Sequence, residues 1–474
     1  MPSTFADIAP LVNNFMLLLL AHQSVFRQER IFRRVVALAF AEVLAFNRHT
    51  VTQLLVVLGL AASDWSSWYR VLKKRIDMLA LNAVLFSATL EHIAPDQPYV
   101  IGVDGTQVPR TGKKIEGVGW LHNPASPVFK RGIHRAQRFL HGAWFTPAEN
   151  GYSRAIPLRF LPAFTPKARR QISDACKEWE AALTFMRWVR TQLDTAGRHQ
   201  QPILALGDGG FDTLDLWKAL GGLHKVTLLV RTAKNRALFH LPPPRLGQRG
   251  RPRQYGRRFE TPENWRKQGK HWRKLTLTIR GRPRKIEYRV TRQPLLRRKA
   301  PNTPLFLIVV RGQSYKAGGK RRYREPLYFL VNAAWVKGAW ALPLPMDTLL
   351  FWAWQRWEME VTHRELKSGF GLGEKQCWHP VSAVTSVQWS AWVYALLMLA
   401  AYRTYGLCQM PRPTTRWWAG SPRWSLTRVL QQFRSAVWGQ TDFQPLWGVF
   451  TDDWGKKDRF MDALVNITQG SARL

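Results

Sequence analysis

The chain has 474 residues, 46% hydrophobic and 22% charged, a globular balance with enough length for two or three domains that each bury a core. Its 71 Lys and Arg against 31 Asp and Glu leave a net charge of +40, a field that no soluble metabolic enzyme needs and that attracts polyanions, with nucleic acid ahead of a membrane surface or an acidic protein. Cys176, Cys377 and Cys408 lie far apart with no CxxC pair, so neither a disulfide framework nor a thiolate zinc site is indicated, and a reducing cytosol fits.

Residues 1 to about 95 read as helices, with apolar side chains recurring at three and four positions and few Gly or Pro. The run "FMLLLLA" has no preceding Lys or Arg, so it predicts a helix rather than a secretory signal. Next, "TVTQLLVVLGLAASDWSSWYRVLKKR" predicts a short apolar helix, a break at Gly59 and a second helix opened by Ser63 or Asp64. This is helix-turn-helix grammar, although two packed helices of an ordinary bundle would look the same.

From Pro98 the pattern turns to short β-type runs, "YVIGVDG" and "RFLHGAWFTP", then a long helix around "ARRQISDACKEWEAALTFMRWVRTQL", then "PILALGDGG" and "VTLLVRT". Strands followed by helices predict an α/β sheet. The alternation then breaks: from Arg231 to Ala300 there are 23 Lys and Arg against three acids, half the excess charge of the chain. This stretch contains "RGRPR" twice, at 249–253 and 280–284, around the β-like runs "KLTLTIRG" and "KIEYRVTR". Gly permits close backbone approach, Pro stiffens the turn, and Arg249, Arg251, Arg253, Arg280, Arg282 and Arg284 are candidates for contacting phosphates. Trp265 and Trp272 are the aromatic side chains here best placed by sequence to stack on bases. Two further strands, "PLFLIVVRG" and "PLYFLVNAAW", lead to a helix near Met346.

Asp104 and Asp208 each follow an apolar strand, where a parallel sheet presents side chains at its C-terminal edge, although a turn or helix cap is the ordinary role of either alone. The helix after Met346 adds a third acid. At 100° per residue Arg356, Glu360, His363 or Arg364, and Lys367 share one face, while Glu358 and Glu365 point elsewhere. Three carboxylates converging would repel unless a cation shared them, and hard oxygen ligands suit Mg²⁺ or Mn²⁺. Two such ions about 4 Å apart would clamp the attacking and leaving oxygens of a phosphodiester, with Arg356 and Lys367 holding the phosphates on either side. An Arg356–Glu360–Arg364 salt-bridge ladder is the structural alternative. The uncharged run Val384–Tyr402 has a membrane-spanning length, but its polar residues Thr385, Ser386, Gln388 and Ser390 predict a buried core helix.

The Asp of "GVDGT", the Asp of "ALGDGGF" and the R-x3-E-x6-K spacing of "RWEMEVTHRELK" resemble the DDE transposases of insertion sequences over about residues 95–380. The subgroup it resembles has a β-rich insertion between the second Asp and the Glu, and a Tyr-x2-Arg-x3-Glu-x6-Lys signature. Arg356, Glu360 and Lys367 match that spacing, but Ala353 stands at the Tyr position, which puts hairpin-type handling of DNA ends in doubt. The resemblance implies an RNase H-like mixed sheet flanked by helices, with an N-terminal helical DNA-binding domain (1–95). The catalytic domain would occupy 96–232 and 326–380, split by a basic β-rich insertion (233–325), before a helical C-terminal region (381–474). It implies Asp104, Asp208 and Glu360 as catalytic metal ligands for two Mg²⁺ or Mn²⁺ ions, and His363 and Arg364 as possible accessories. Cleavage at the 3′ ends of a mobile element, transfer of the freed 3′-OH into target DNA and a homodimer on paired ends are implied as well. No membrane and no organic cofactor are expected, and the location would be the nucleoid-associated cytoplasm. The rival readings are a nuclease that cuts without joining and a non-catalytic DNA-binding protein derived from a transposase.

Overall fold

The structure is a computed structural model that describes residues 9–62, 64–124, 126–127, 129–168, 176–243, 253–268, 271–411 and 421–439. Five helices come first: α1 (Pro10–Ala21), α2 (Glu29–Leu44), α3 (Val51–Val57), α4 (Ser66–Arg70) and α5 (Met78–Thr89). Polar side chains start several of them. Thr50 accepts from the Gln53 amide, Asp64 from that of Ser66, and Asp77 from those of Leu79 and Ala80. Gly59 has φ +70°, which supplies the break between α3 and α4. Ser63, one of the two expected helix openers, lies outside the described residues.

The sheet begins with β1 (Tyr99–Pro109), β2 (Gly119–His122), β3 (Ile133–Phe145) and β4 (Ala155–Pro162), followed by α6 (Glu178–Thr195), β5 (Ile203–Gly207), α7 (Leu214–Leu220) and β6 (Val226–Arg231). The basic stretch adds β7 (Leu238–His240), α8 (Pro262–Lys267), β8 (Arg273–Ile279), β9 (Arg282–Val290), β10 (Leu295–Arg297) and β11 (Ala300–Val310). A hairpin of β12 (Gln313–Ala317) and β13 (Lys320–Arg324), strand β14 (Leu327–Asn332), and a hairpin of β15 (Ala334–Val336) and β16 (Ala339–Ala341) come next. Helices α9 (Met346–Gln355), α10 (Trp357–Gly369), α11 (Pro380–Tyr405) and α12 (Leu426–Gly439) follow.

Nine strands follow one another in the order β2-β3-β1-β5-β6-β14-β11-β10-β7, with β4 on β3, β9 on β11 and β8 on β9. β1, β5 and β6 run parallel, β3 is antiparallel to β1, and β14 is antiparallel to β6. The fold is therefore a large mixed α/β sheet with helices on both faces. The strands of the basic stretch extend that sheet rather than forming one of their own, because β11 bonds to β14 and β14 to β6. The second "RGRPR" is the β8–β9 turn: Arg280 and Gly281 both have positive φ, as a two-residue hairpin requires, and Ile279 pairs with Arg282.

One core joins the N-terminal helices, α6, α7, α11 and α12 to one face of the sheet, and a second lies between the other face and α9. Helix α11 is the axis of the first: from Ser382 to Ala401 only Gln388 escapes full burial, so the uncharged run is a core helix, as its polar residues predicted. Its Ser390 and Trp389 bond to Glu42 of α2, which also holds the Lys375 ammonium at 2.6 Å with both side chains buried. A charge pair so desolvated survives only when fully hydrogen-bonded. It ties the N-terminal helices to the segment that follows α10.

Candidate active site

Asp104 does not end its strand. β1 continues to Pro109 because β3 keeps pairing with it, Asp104 opposite His141, after the parallel pairing with β5 has stopped at Gly102 and Leu206. The turn that ordinarily follows a strand-end Asp is therefore replaced by strand at Asp104. Asp104 nevertheless lies just beyond the edge of β5, the level at which Asp208 emerges after Gly207. Asp208 also caps the turn that follows it, its Oδ1 accepting from the Gly210 amide at 2.8 Å.

The third acid arrives on α10. Alternation in β1 puts Gly102 and Asp104 on one face, and a Cβ on Gly102 would sit 2.7 Å from Met359 Sδ and 2.6 Å from a ring carbon of Phe145. The missing side chain lets α10 settle onto β1 and brings Glu360, one residue after Met359, toward Asp104. Arg356, at the junction of α9 and α10, bridges the acids: Nη2 donates to Glu360 Oε1 at 2.6 Å and Nη1 lies 3.7 Å from Asp104 Oδ2. His363 is on the same face, its Nδ1 3.9 Å from Asp104 Oδ2 and its Nε2 2.9 Å from Nδ1 of the buried His141. Arg364 points to solvent and forms no salt-bridge ladder with Glu360. Glu358 instead pairs with Arg423 and Arg280, and Glu365 with Arg154.

Electrostatics show the convergence. Burial and the charge of Asp208 push Asp104 up to about 7; Glu360 adds to the rise, and Arg356 and a hydrogen bond from Gly105 oppose it. Burial, then the Lys367 and Arg356 charges, drive His363 down to about 3, so its imidazole is neutral. Partial desolvation lowers the Lys367 ammonium and the Asp104 charge opposes the shift, which places Lys367 in the field of the same acid. Among the described residues no group of three His, Cys, Asp or Glu side chains is close enough to form a ready-made metal site. The Arg356 guanidinium supplies the positive charge between Glu360 and Asp104. The donor set nonetheless fits a hard divalent cation: the available donors are carboxylate oxygens, and burial, then neighbouring acids, hold Asp104 against its ionisation. Such an ion would take over the neutralising role of Arg356.

Cations surround the acids. A cavity of about 300 Å³ beside Arg356 is lined by Arg231, Arg280, Arg284, Arg324, Trp354 and, at the position matching the signature Tyr, Ala353. Among the described residues no acid is within ion-pair distance of Arg231, Arg284 or Arg324. Burial, followed by the charges of Arg324 and Arg280, lowers Arg284. Arg282 and Arg253 are exposed, whereas Arg249 and Arg251 lie outside the described residues. Trp265 and Trp272, the expected base-stacking rings, carry Arg289 at 4.2 and 5.9 Å from their centroids and are half-buried. Arg231, Arg324 and His141 were not singled out by sequence reasoning. The only signal was position: Arg231 ends β6 as Asp208 follows β5.

A mixed sheet that delivers two aspartates to one edge, under a helix that brings a glutamate, a lysine and an arginine, defines an acidic centre inside a basic surface. The sequence profile described as DDE superfamily endonuclease matches residues 24–284, more than half of the chain, and this protein belongs to that family. The match includes Asp104 and Asp208 and stops before Glu360. No curated protein matches the chain. A piggyBac transposase synaptic complex with hairpin DNA, solved by cryo-EM, is similar at 10% identity with a TM-score of 0.39, covering 97% of this chain and 82% of that one.

Proposed function

We propose that this protein is a DDE transposase of the insertion-sequence type, which binds the ends of a mobile element, cuts them and joins the 3′-OH ends to target DNA. What supports this reading is the Arg356 bridge between Glu360 and Asp104, with Asp208 leaving the neighbouring strand at the level of Asp104, in a chain of the DDE endonuclease family. The order β4-β3-β1-β5-β6, three antiparallel strands followed by two parallel to β1, supports an RNase H-like core.

Asp104, Asp208 and Glu360 would hold divalent cations, Mg²⁺ or Mn²⁺, two per site. When bound, these ions activate an attacking oxygen and stabilise the leaving one. The residues around them perform the remaining tasks. Arg356, released from Glu360, turns its guanidinium to a phosphate oxygen. Lys367 neutralises the backbone on the opposite side of the scissile bond. Arg231, Arg284 and Arg324, none of them in an ion pair with a described acid, receive the next phosphates. His363, neutral between Asp104 and His141, orients the Asp104 carboxylate. Ala353 offers no hydroxyl where the subgroup has Tyr, so end processing without that hydroxyl is expected. A homodimer on paired ends and a place with the nucleoid in the cytoplasm complete the reading.

The test is nicking of DNA taken from the flanks of the gene, with Mg²⁺ or Mn²⁺, by wild type and Glu360→Gln matched for DNA binding. Loss of 3′-end nicking in the variant alone supports the metal-dependent enzyme. Nicking by neither, on DNA shown to contain the element's true end, favours a binding-only descendant. Joining of a supplied 3′-OH end to a second duplex separates a transposase from a nuclease that only cuts.

A further inference from the structure

The Lys367 side of the acids leads to a second feature. Strand β3 pairs His141 with Asp104 and, six residues earlier, Arg135 with Trp120 of β2. Directly opposed residues share a face and alternate residues along a strand do too, so Asp104, His141, Arg135 and Trp120 all project from the face over which α10 lies. Trp120 is 63% exposed although its neighbour Leu121 is buried, and the Arg135 guanidinium stands 5.2 Å from its ring centroid. Beside this pair is a groove of about 740 Å³ lined also by Arg110, Lys367, Gly373, Gln376 and Glu374, whose carboxylate accepts from the His49 amide. Exposed Lys113 and Lys114 follow β1 nearby, and the β2–β3 connection presents Lys130 and Arg131. An indole held open by a cross-strand arginine, in a groove entered past cations, matches a strand whose phosphates need neutralising and whose base has an aromatic face.

We propose that Trp120 and Arg135 form a stacking platform for one unpaired base of the DNA strand that leaves the acidic centre past Lys367. The inference rests on the DNA-processing reading above and adds a place and a spacing to it. Six residues of β3 span about 20 Å, which is about six nucleotides at B-form spacing or about three when the strand is stretched. The stacked base therefore lies three to six nucleotides from the scissile phosphate.

The experiment uses the full chain without divalent metal, so that binding is read apart from cleavage. The probes are a blunt duplex of the element end and the same duplex with a single-stranded tail carrying 2-aminopurine at each tail position in turn. Stacking by one aromatic side chain predicts that Trp120→Ala weakens binding of the tailed DNA by about 5- to 100-fold. Blunt-duplex binding should stay within about twofold, Trp120→Phe should retain most of the tailed affinity, and 2-aminopurine should be quenched at one position three to six nucleotides along the tail. Equal binding of tailed DNA by wild type and Trp120→Ala, or quenching at no position, overturns the platform and leaves the transposase reading standing. Absence of DNA binding by wild type on either probe overturns both. Because Trp120 is exposed, a melting curve like that of wild type identifies a folded variant.

Discussion

Arg356 donates to Glu360 at 2.6 Å across one turn of helix, and the same guanidinium reaches to 3.7 Å from Asp104. The protein thus carries its own cation between two of its clustered acids. Arg356→Ala should tighten Mn²⁺ binding in the absence of DNA, because the ion no longer competes with a tethered charge. It should also weaken DNA binding by about tenfold, the worth of one charge-assisted hydrogen bond. Titration calorimetry with Mn²⁺, alone and with DNA, reads both effects, and weaker Mn²⁺ binding by the variant would reject the competition.

Gly102 sets how closely α10 approaches β1. A methyl group there would meet Met359 and Phe145 at distances no carbon tolerates, so Gly102→Ala should move the helix outward. The expected stability loss is about 1–3 kcal/mol, the usual result of overpacking. Cleavage should fall much further than stability, because Glu360 moves with the helix; Gly102→Ala with Met359→Ala should recover part of it. Activity that simply tracks the folded fraction would count against this coupling.

His22 gives a pH dependence independent of the acidic centre. Burial pushes it down to about 4, although the Leu18 and Leu81 carbonyls beside its two ring nitrogens favour the protonated ring. Above about pH 6.5 it is neutral folded or unfolded and contributes nothing. Between about 6.5 and 4 the unfolded chain takes a proton that the fold refuses, so stability drops by up to about 3 kcal/mol as pH falls. Denaturant unfolding at pH 7 and pH 4.5 should show His22→Gln losing less over this interval than wild type; parallel losses would refute the assignment.

The Glu42–Lys375 pair should behave as a buried ion pair. Lys375→Met alone leaves a carboxylate uncompensated and should cost about 3–5 kcal/mol, whereas adding Glu42→Leu should recover much of that loss. Additive losses in chemical denaturation would show that the two charges are not coupled.

The β8–β9 arginines should set the salt response of DNA binding. Replacing Arg280, Arg282 and Arg284 by Ala should reduce the slope of log K against log salt by about 0.9 for each phosphate that these side chains neutralise. An unchanged slope would return this turn to the role of a soluble hairpin.

Much of the frame was legible in the residues. The runs "YVIGVDG", "ILALG" and "VTLLVR" read as strands because short apolar segments bounded by Gly and Asp bury both faces, and they are β1, β5 and β6. That residues at i, i+4 and i+11, such as Arg356, Glu360 and Lys367, fall on one side is a property of any helix, so their shared face needed no tertiary information. Strands β2 and β4 escaped notice because a four-residue edge strand and one that contains Pro157 carry little periodicity of their own. That Asp104 sits inside a strand depended on how far β3 extends, which is a property of the partner strand. His141 reaches the site only through that register, as do Trp120 and Arg135 the groove.

By itself the sequence determined a basic α/β protein with two aspartates closing apolar runs and a helix with Arg, Glu and Lys on one side, because charge, hydropathy and helical period are local properties. Only the tertiary structure decided that Arg356 bridges Glu360 and Asp104, that the basic strands extend the main sheet, and that α11 forms the axis of the helical core. Those outcomes depend on packing between residues tens to hundreds of positions apart, and no local pattern encodes which distant surface will desolvate a given charge.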